Sequence, residues 1–233
     1  AVLTWTIVPF PEIEAWITLA RRQLLNRVQQ GERIVTDSTL LWAMAAQCQA
    51  TELAQYVTPT ERHAAFQLVR TLGEDDVDKI AIAGMFLPLA TVPAARDLAR
   101  KIALEPGDRS PMHNVLLRTI INRDAEREIE TGIQSLTSIE EETSLAVREH
   151  YEANPYPRWL SVDREKSPLS LAERVAKRFP NVVTDCLDLV SPSILIAGCG
   201  TGRHAIGTAA RHAGSRVLAV DLSRASLAVA ERQ

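Results

Sequence analysis

Apolar residues recur at helical spacing through most of the chain and condense into strand-like runs only near its end. Ile13, Trp16, Ala20 and Leu24 fall on one face of a helix that Pro11 opens, and Leu117, Ile121, Ala125 and Ile129 fall on one face of another. Gly31 and Gly73 stand where helices should stop, and Pro93 and Pro111 where the next should begin. Ser138 followed three residues later by Glu141 reads as a capping box that opens a helix running through Leu145 and Val147 toward Tyr151. Asn154-Pro155 ends that helix, because a proline bars its predecessor from helical geometry. The most apolar stretch, 80–92, is interrupted by Gly84 and Pro88 and falls short of the roughly 20 residues a membrane-spanning helix needs. It predicts a buried helix.

Past residue 150 the pattern changes. Ser167-Pro168 opens an amphipathic helix through Leu171, Val175 and Phe179, and the short runs 194–197 and 217–220 read as buried parallel strands. Between them 203–212 is helix-length and Gly214 follows, so 194–221 is a βαβ unit. Ser223 can cap a last helix over 224–232. The fold class predicted is α/β: a helical domain over 1–150, a connecting segment over 151–192, and over 193–233 the opening βαβα part of a Rossmann-like domain.

The stretch 194–202, ILIAGCGTG, sets glycines at alternate positions directly behind the first strand. Such a turn lets main chain approach a ligand without a Cβ collision, and the amides of the following helix attract negative charge. Asp221 ends the next strand about 20 residues on, where an acid reaches the hydroxyls of an adenosine ribose. A nucleoside ligand is implied. The dinucleotide pattern G-x-G-x-x-G would need glycine at 203, where the chain has Arg203, whereas Gly202 completes G-x-G-x-G.

Gly198-x-Gly200-x-Gly202 resembles the loop of class I S-adenosylmethionine-dependent methyltransferases. The resemblance implies that Gly198, Cys199, Gly200, Thr201 and Gly202 hold the methionine end of S-adenosyl-L-methionine, with Asp221 and Leu222 on its nucleoside. YEANPYPRW at 151–159, ahead of ILIAGCGTGRHAI and DLSRASLAVAERQ, is similar to a family of bacterial methyltransferases that often carry tetratricopeptide repeats upstream of the catalytic domain. LLWAMAAQCQATEL from Leu40 resembles a segment ahead of that domain, although no tetratricopeptide repeat is visible. By the same resemblance Tyr151, Asn154, Tyr156 and Arg158 take a cofactor or substrate role; a proline-stiffened turn packing Trp159 on the core is the plainer reading. Many class I enzymes place an acid two positions before the first glycine, where this chain has Ile196.

The class I fold implied is a seven-stranded sheet with the first strand central, of which two strands can be built. The chain is therefore expected to be the amino-terminal part of a longer enzyme. An unpaired edge on the first strand would invite association with the missing part or with a second copy.

Charge narrows the partners. A net charge of −3 leaves no basic surplus for nucleic acid. Cys48, Cys186 and Cys199 are odd in number and far apart, which suggests a reducing cytoplasm, and no basic leader precedes an apolar core at the amino end. Cys199 between glycines reads as packing and Glu140-Glu141-Glu142 as first-turn acids that complement a helix dipole; Arg203 and His204, in the first turn after the glycines, either meet the cofactor carboxylate or face solvent, with solvent the reading for His204. No histidine has a partner at metal-ligand spacing. The function expected is methyl transfer to an unknown acceptor, with no catalytic acid or base identified. An NAD(P)-dependent oxidoreductase and a non-catalytic helical interaction module are the alternatives.

Overall fold

The computed structural model describes residues 2–103, 110–159, 162, 167–185 and 191–233. The chain is mostly helical with a small two-stranded parallel sheet, and it divides into two compact units, 1–124 and 125–233. Cys186 lies outside the described residues.

The first unit comprises α1 (Val2–Trp5), α2 (Pro11–Gln29), α3 (Ser38–Ala50), α4 (Pro59–Val69), α5 (Val77–Gly84), a 3-10 turn Leu89–Thr91, α6 (Pro93–Ile102), α7 (Pro111–Leu116) and a π turn Leu117–Ile121. Helix α3 is the pillar: every residue from Leu41 to Cys48 is buried, as a helix apolar on all sides must be. The predicted prolines stand at the starts of α2, α6 and α7, and Gly31 takes φ 70° just past α2.

Three helical expectations need correction. The inward face of α2 carries Ile17, Arg21, Leu24 and Leu25, while Trp16 is exposed. Ile13 and Ala20 of the expected stripe do pack against this core; Arg21 joins them because its guanidinium satisfies buried main chain, donating to the Met85 and Tyr56 carbonyls at 2.8 Å each, with its Cζ 4.8 Å from the Phe86 ring centre. The apolar stretch 80–92 is not one helix. Helix α5 stops at Gly84, where an added Cβ would lie 2.8 Å from the Leu89 side chain folding back over it, and the Gln49 amide caps the Gly84 and Leu87 carbonyls. Finally, a π turn interrupts the helix at Leu117–Ile121: Leu116 and Ile120 are buried, Ile121 packs partly buried against the same core, and Leu117 is half-buried.

The second unit contains most of α8 (Asn122–Gly132), then α9 (Glu142–Ala153), α10 (Leu171–Arg178), β1 (Ser193–Ala197), α11 (Arg203–Arg211), β2 (Arg216–Val220) and α12 (Arg224–Arg232). The strands run parallel, in register from Ser193 opposite Arg216 to Ala197 opposite Val220. Ile194, Ile196, Val217 and Ala219 pack with Ala205 of α11 and Leu227 of α12. On the other face Leu195 and Leu218, opposite each other, are 65% and 63% exposed, and among the described residues no core cluster covers them. The strands are thus covered on one face, where burial on both was expected.

The helical segment ahead of residue 150 is shared between the units, so the compact division falls earlier than the expected domain boundary. Glu126 of α8 accepts from Arg158 and from Arg232 at 2.8 Å each, and Glu152 of α9 accepts the Arg224 and Ala225 amides of α12 at 2.8 and 3.2 Å. Helical periodicity identifies a helix but not the core it joins. The expected Ser138–Glu141 box is replaced by Glu141 itself, whose carboxylate takes the Thr143 and Ser144 amides at 3.1 and 2.6 Å, while Ser138 bonds Glu140. Ser170 and Glu173, not Ser167, form the capping box of α10. Among the described residues no helix is long and apolar enough to cross a membrane.

Candidate functional site

The loop after β1 is held at each step. The Gly198 and Cys199 amides both donate to the Val220 carbonyl, at 2.9 and 3.2 Å, and the Gly202 amide turns back onto the Cys199 carbonyl at 3.0 Å. Gly198, Gly200 and Gly202 take φ values of 68°, 53° and 84°, a left-handed path that glycine follows without Cβ strain. Their surroundings differ. A Cβ on Gly202 would lie 2.5 Å from the Ala230 Cβ of α12, so this glycine serves packing; around one on Gly198 nothing lies within 4 Å among the described residues.

Asp221, directly after β2, is tied to this loop. Its Oδ2 accepts the Gly200 amide at 2.7 Å and its Oδ1 the Ser223 amide at 2.9 Å. A carboxylate offers about four lone-pair sites, so two remain for a ligand. The tips of β1 and β2 therefore converge on one place.

Gly198, Gly200, Asp221, Leu222, Tyr151 and Tyr156 border a single cleft of about 930 Å³, within the usual range of roughly 300–1,000 Å³ for ligand sites. Cys199 also reaches it. Burial, and then the Asp221 carboxylate, push the Cys199 thiol up from its ordinary pKa, and the side chain packs with Ile196 and Ala205. Ile196, two positions before the first glycine, turns to the helix layer.

The remaining predicted site residues stand elsewhere. Asn154 caps α9, its amide bonded to the His150 carbonyl at 3.1 Å. Arg158 is engaged by Glu126. Thr201 is buried and braces the loop, its hydroxyl donating to the Pro157 carbonyl at 2.5 Å while its own carbonyl accepts from the Trp159 indole at 2.9 Å. The 151–159 segment thus supplies two aromatic walls and, through Pro157 and Trp159, a strut under the glycines.

Sequence reasoning missed Glu126, Glu152 and Ser226. Ser226 is 1% exposed, lines the same cleft, and its Oγ has no hydrogen-bond partner among the described residues. Its place five residues past Asp221, in the first turn of α12, was a usable signal; nothing in spacing singles out Glu126 or Glu152. Among the described residues no three His, Cys, Asp or Glu side chains cluster to hold a metal. Comparison with family models, curated proteins and solved structures finds no match.

Proposed function

We propose that the chain binds S-adenosyl-L-methionine in the cleft bordered by Gly198, Gly200 and Asp221 and serves methyl transfer from it to an acceptor. On this reading β1–α11–β2–α12 is the opening portion of a Rossmann-like class I methyltransferase domain. The observation that carries the reading is the convergence of bare main chain at the tip of β1 with a carboxylate at the tip of β2, on one cleft of nucleoside size. The open space over Gly198 and the orphaned Ser226 hydroxyl fit a ligand that offers both surface and hydrogen bonds.

The bound cofactor would supply an activated methyl group for in-line displacement. The chain's part is to bind and orient. The spare lone pairs of Asp221 accept ribose hydroxyls, Tyr151 and Tyr156 offer aromatic faces to an adenine, and Gly198 admits close approach. Alignment of reactants alone is worth about 7–11 kcal/mol of barrier, so a dedicated acid or base is not required.

A thermal-shift comparison tests the reading, because a ligand bound only by the native state raises the transition. S-adenosylhomocysteine should raise it and NAD should not. The reverse order would favour an oxidoreductase, and no response to either would favour a helical interaction module.

A further inference from the structure

A second cavity, of about 450 Å³, lies beside the same loop and shares Pro157 and Cys199 with the first. Arg203, His204 and Arg211 line it, and no acidic residue does so among the described residues. We infer that this cavity is a carboxylate site, in which the Arg203 and Arg211 guanidiniums grip the anion beside His204.

The argument begins at Gly207. Arg203 and Gly207 share one stripe of α11, four residues or about 6 Å apart along the axis. Arg211 folds back along the helix, its Nε donating to the Gly207 carbonyl at 2.8 Å. Its Nη2 lies 3.0 Å from where a Cβ on Gly207 would stand, so the missing side chain makes its berth. The guanidinium is thereby turned back from the end of α11 to Gly207, which lines the same cavity as Arg203. Among the described residues none of the three basic groups pairs with a carboxylate, although carboxylates pair with Arg elsewhere in the chain. A carboxylate that meets two planar cationic forks lining one cavity gains charge-assisted hydrogen bonds from both.

The cavity stands on its own geometry; the identity of the carboxylate bearer rests on the methyltransferase reading. That bearer is either the amino-acid end of the cofactor or an acidic methyl acceptor. Titration calorimetry on the full chain and on an Arg203→Gln, Arg211→Gln double variant separates them, with S-adenosylhomocysteine, the carboxylate-free 5′-methylthioadenosine, and succinate added over methylthioadenosine. If the cofactor end fills the site, the variant loses tenfold or more in affinity for S-adenosylhomocysteine and none for methylthioadenosine. If an acceptor fills it, both nucleosides bind the variant as they bind the wild type and succinate binding is lost.

Gly207→Ala, which displaces Arg211 without removing a charge, should give a partial loss of the same kind. Wild type that binds no carboxylate, or a folded variant that binds all three probes like wild type, overturns the inference. Succinate binding that needs both arginines, in a protein that binds neither nucleoside, would uphold the cavity and sink the methyltransferase reading instead.

Discussion

Asp221 accepts the Gly200 amide at 2.7 Å through one oxygen and the Ser223 amide at 2.9 Å through the other. One carboxylate thus fixes the loop after β1 and the entry to α12. A side chain expected only to meet a ribose also builds the site that would receive it.

That double duty predicts how Asp221 variants rank. Asn offers one acceptor and an NH2 that would face a main-chain N–H, so Asp221→Asn should be about as damaging as Asp221→Ala. Each should weaken S-adenosylhomocysteine binding roughly ten- to hundredfold, from about 1.5–3 kcal/mol of lost charge-assisted bonding, and each should lower stability by about 1–3 kcal/mol. Titration calorimetry and urea unfolding give the two numbers. An Asn variant that matches wild type in both contradicts the assignment.

The glycines should separate into two kinds. Gly202→Ala meets left-handed strain of about 1–2 kcal/mol and an overpacking cost of about 1–3 kcal/mol against Ala230, and should strongly destabilise the second unit. Gly198→Ala carries only the strain term, since its Cβ enters open space, yet it should abolish ligand binding by filling that space. Denaturation curves beside binding isotherms would reveal the split, and equal effects on both properties would deny it.

Ser226→Ala removes a buried hydroxyl that has no partner among the described residues, so stability should hold or rise. If the ligand completes that hydroxyl, affinity should fall roughly two- to tenfold, the equivalent of about 0.5–1.5 kcal/mol. Unchanged affinity would leave Ser226 outside the binding surface.

Glu141 predicts an acid limit for α9, the helix that carries Tyr151. Hydrogen bonds from Ser144 and then Thr143 hold its carboxyl at about 2, against an ordinary value of 4.5. Because the folded pKa is depressed, its contribution is fully present above 4.5 and is lost as pH falls toward about 2. Side-chain carboxyl titration by NMR should place the midpoint near 2, and amide exchange at the start of α9 should quicken below it. A midpoint near 4.5 would mean that the cap does not form.

Much of this was legible in the residues, and the exceptions share a cause. The βαβ order, the three glycines, Asp221 and the Ser223 cap depend on local rules of spacing and turn chemistry, which a sequence states directly. Trp16 was placed inward and Arg21 passed over because a stripe of apolar residues does not reveal which carbonyls a buried guanidinium must serve. Arg158 had no visible partner because Glu126 lies 32 residues away, on α8. The second unit begins before residue 150 because Glu126 and Glu152 bond to α12, and such long-range pairs leave no periodicity behind. Ser226 reads as an ordinary helix residue, and only its surroundings show the hydroxyl buried without a partner among the described residues.

The most direct test is a backbone amide NMR titration of the full chain with S-adenosylhomocysteine. Gly198, Gly200 and Leu222 should shift together and saturate at one affinity, marking both strand tips on one ligand. Saturable shifts confined to other residues, or no shifts at millimolar ligand, would contradict the account.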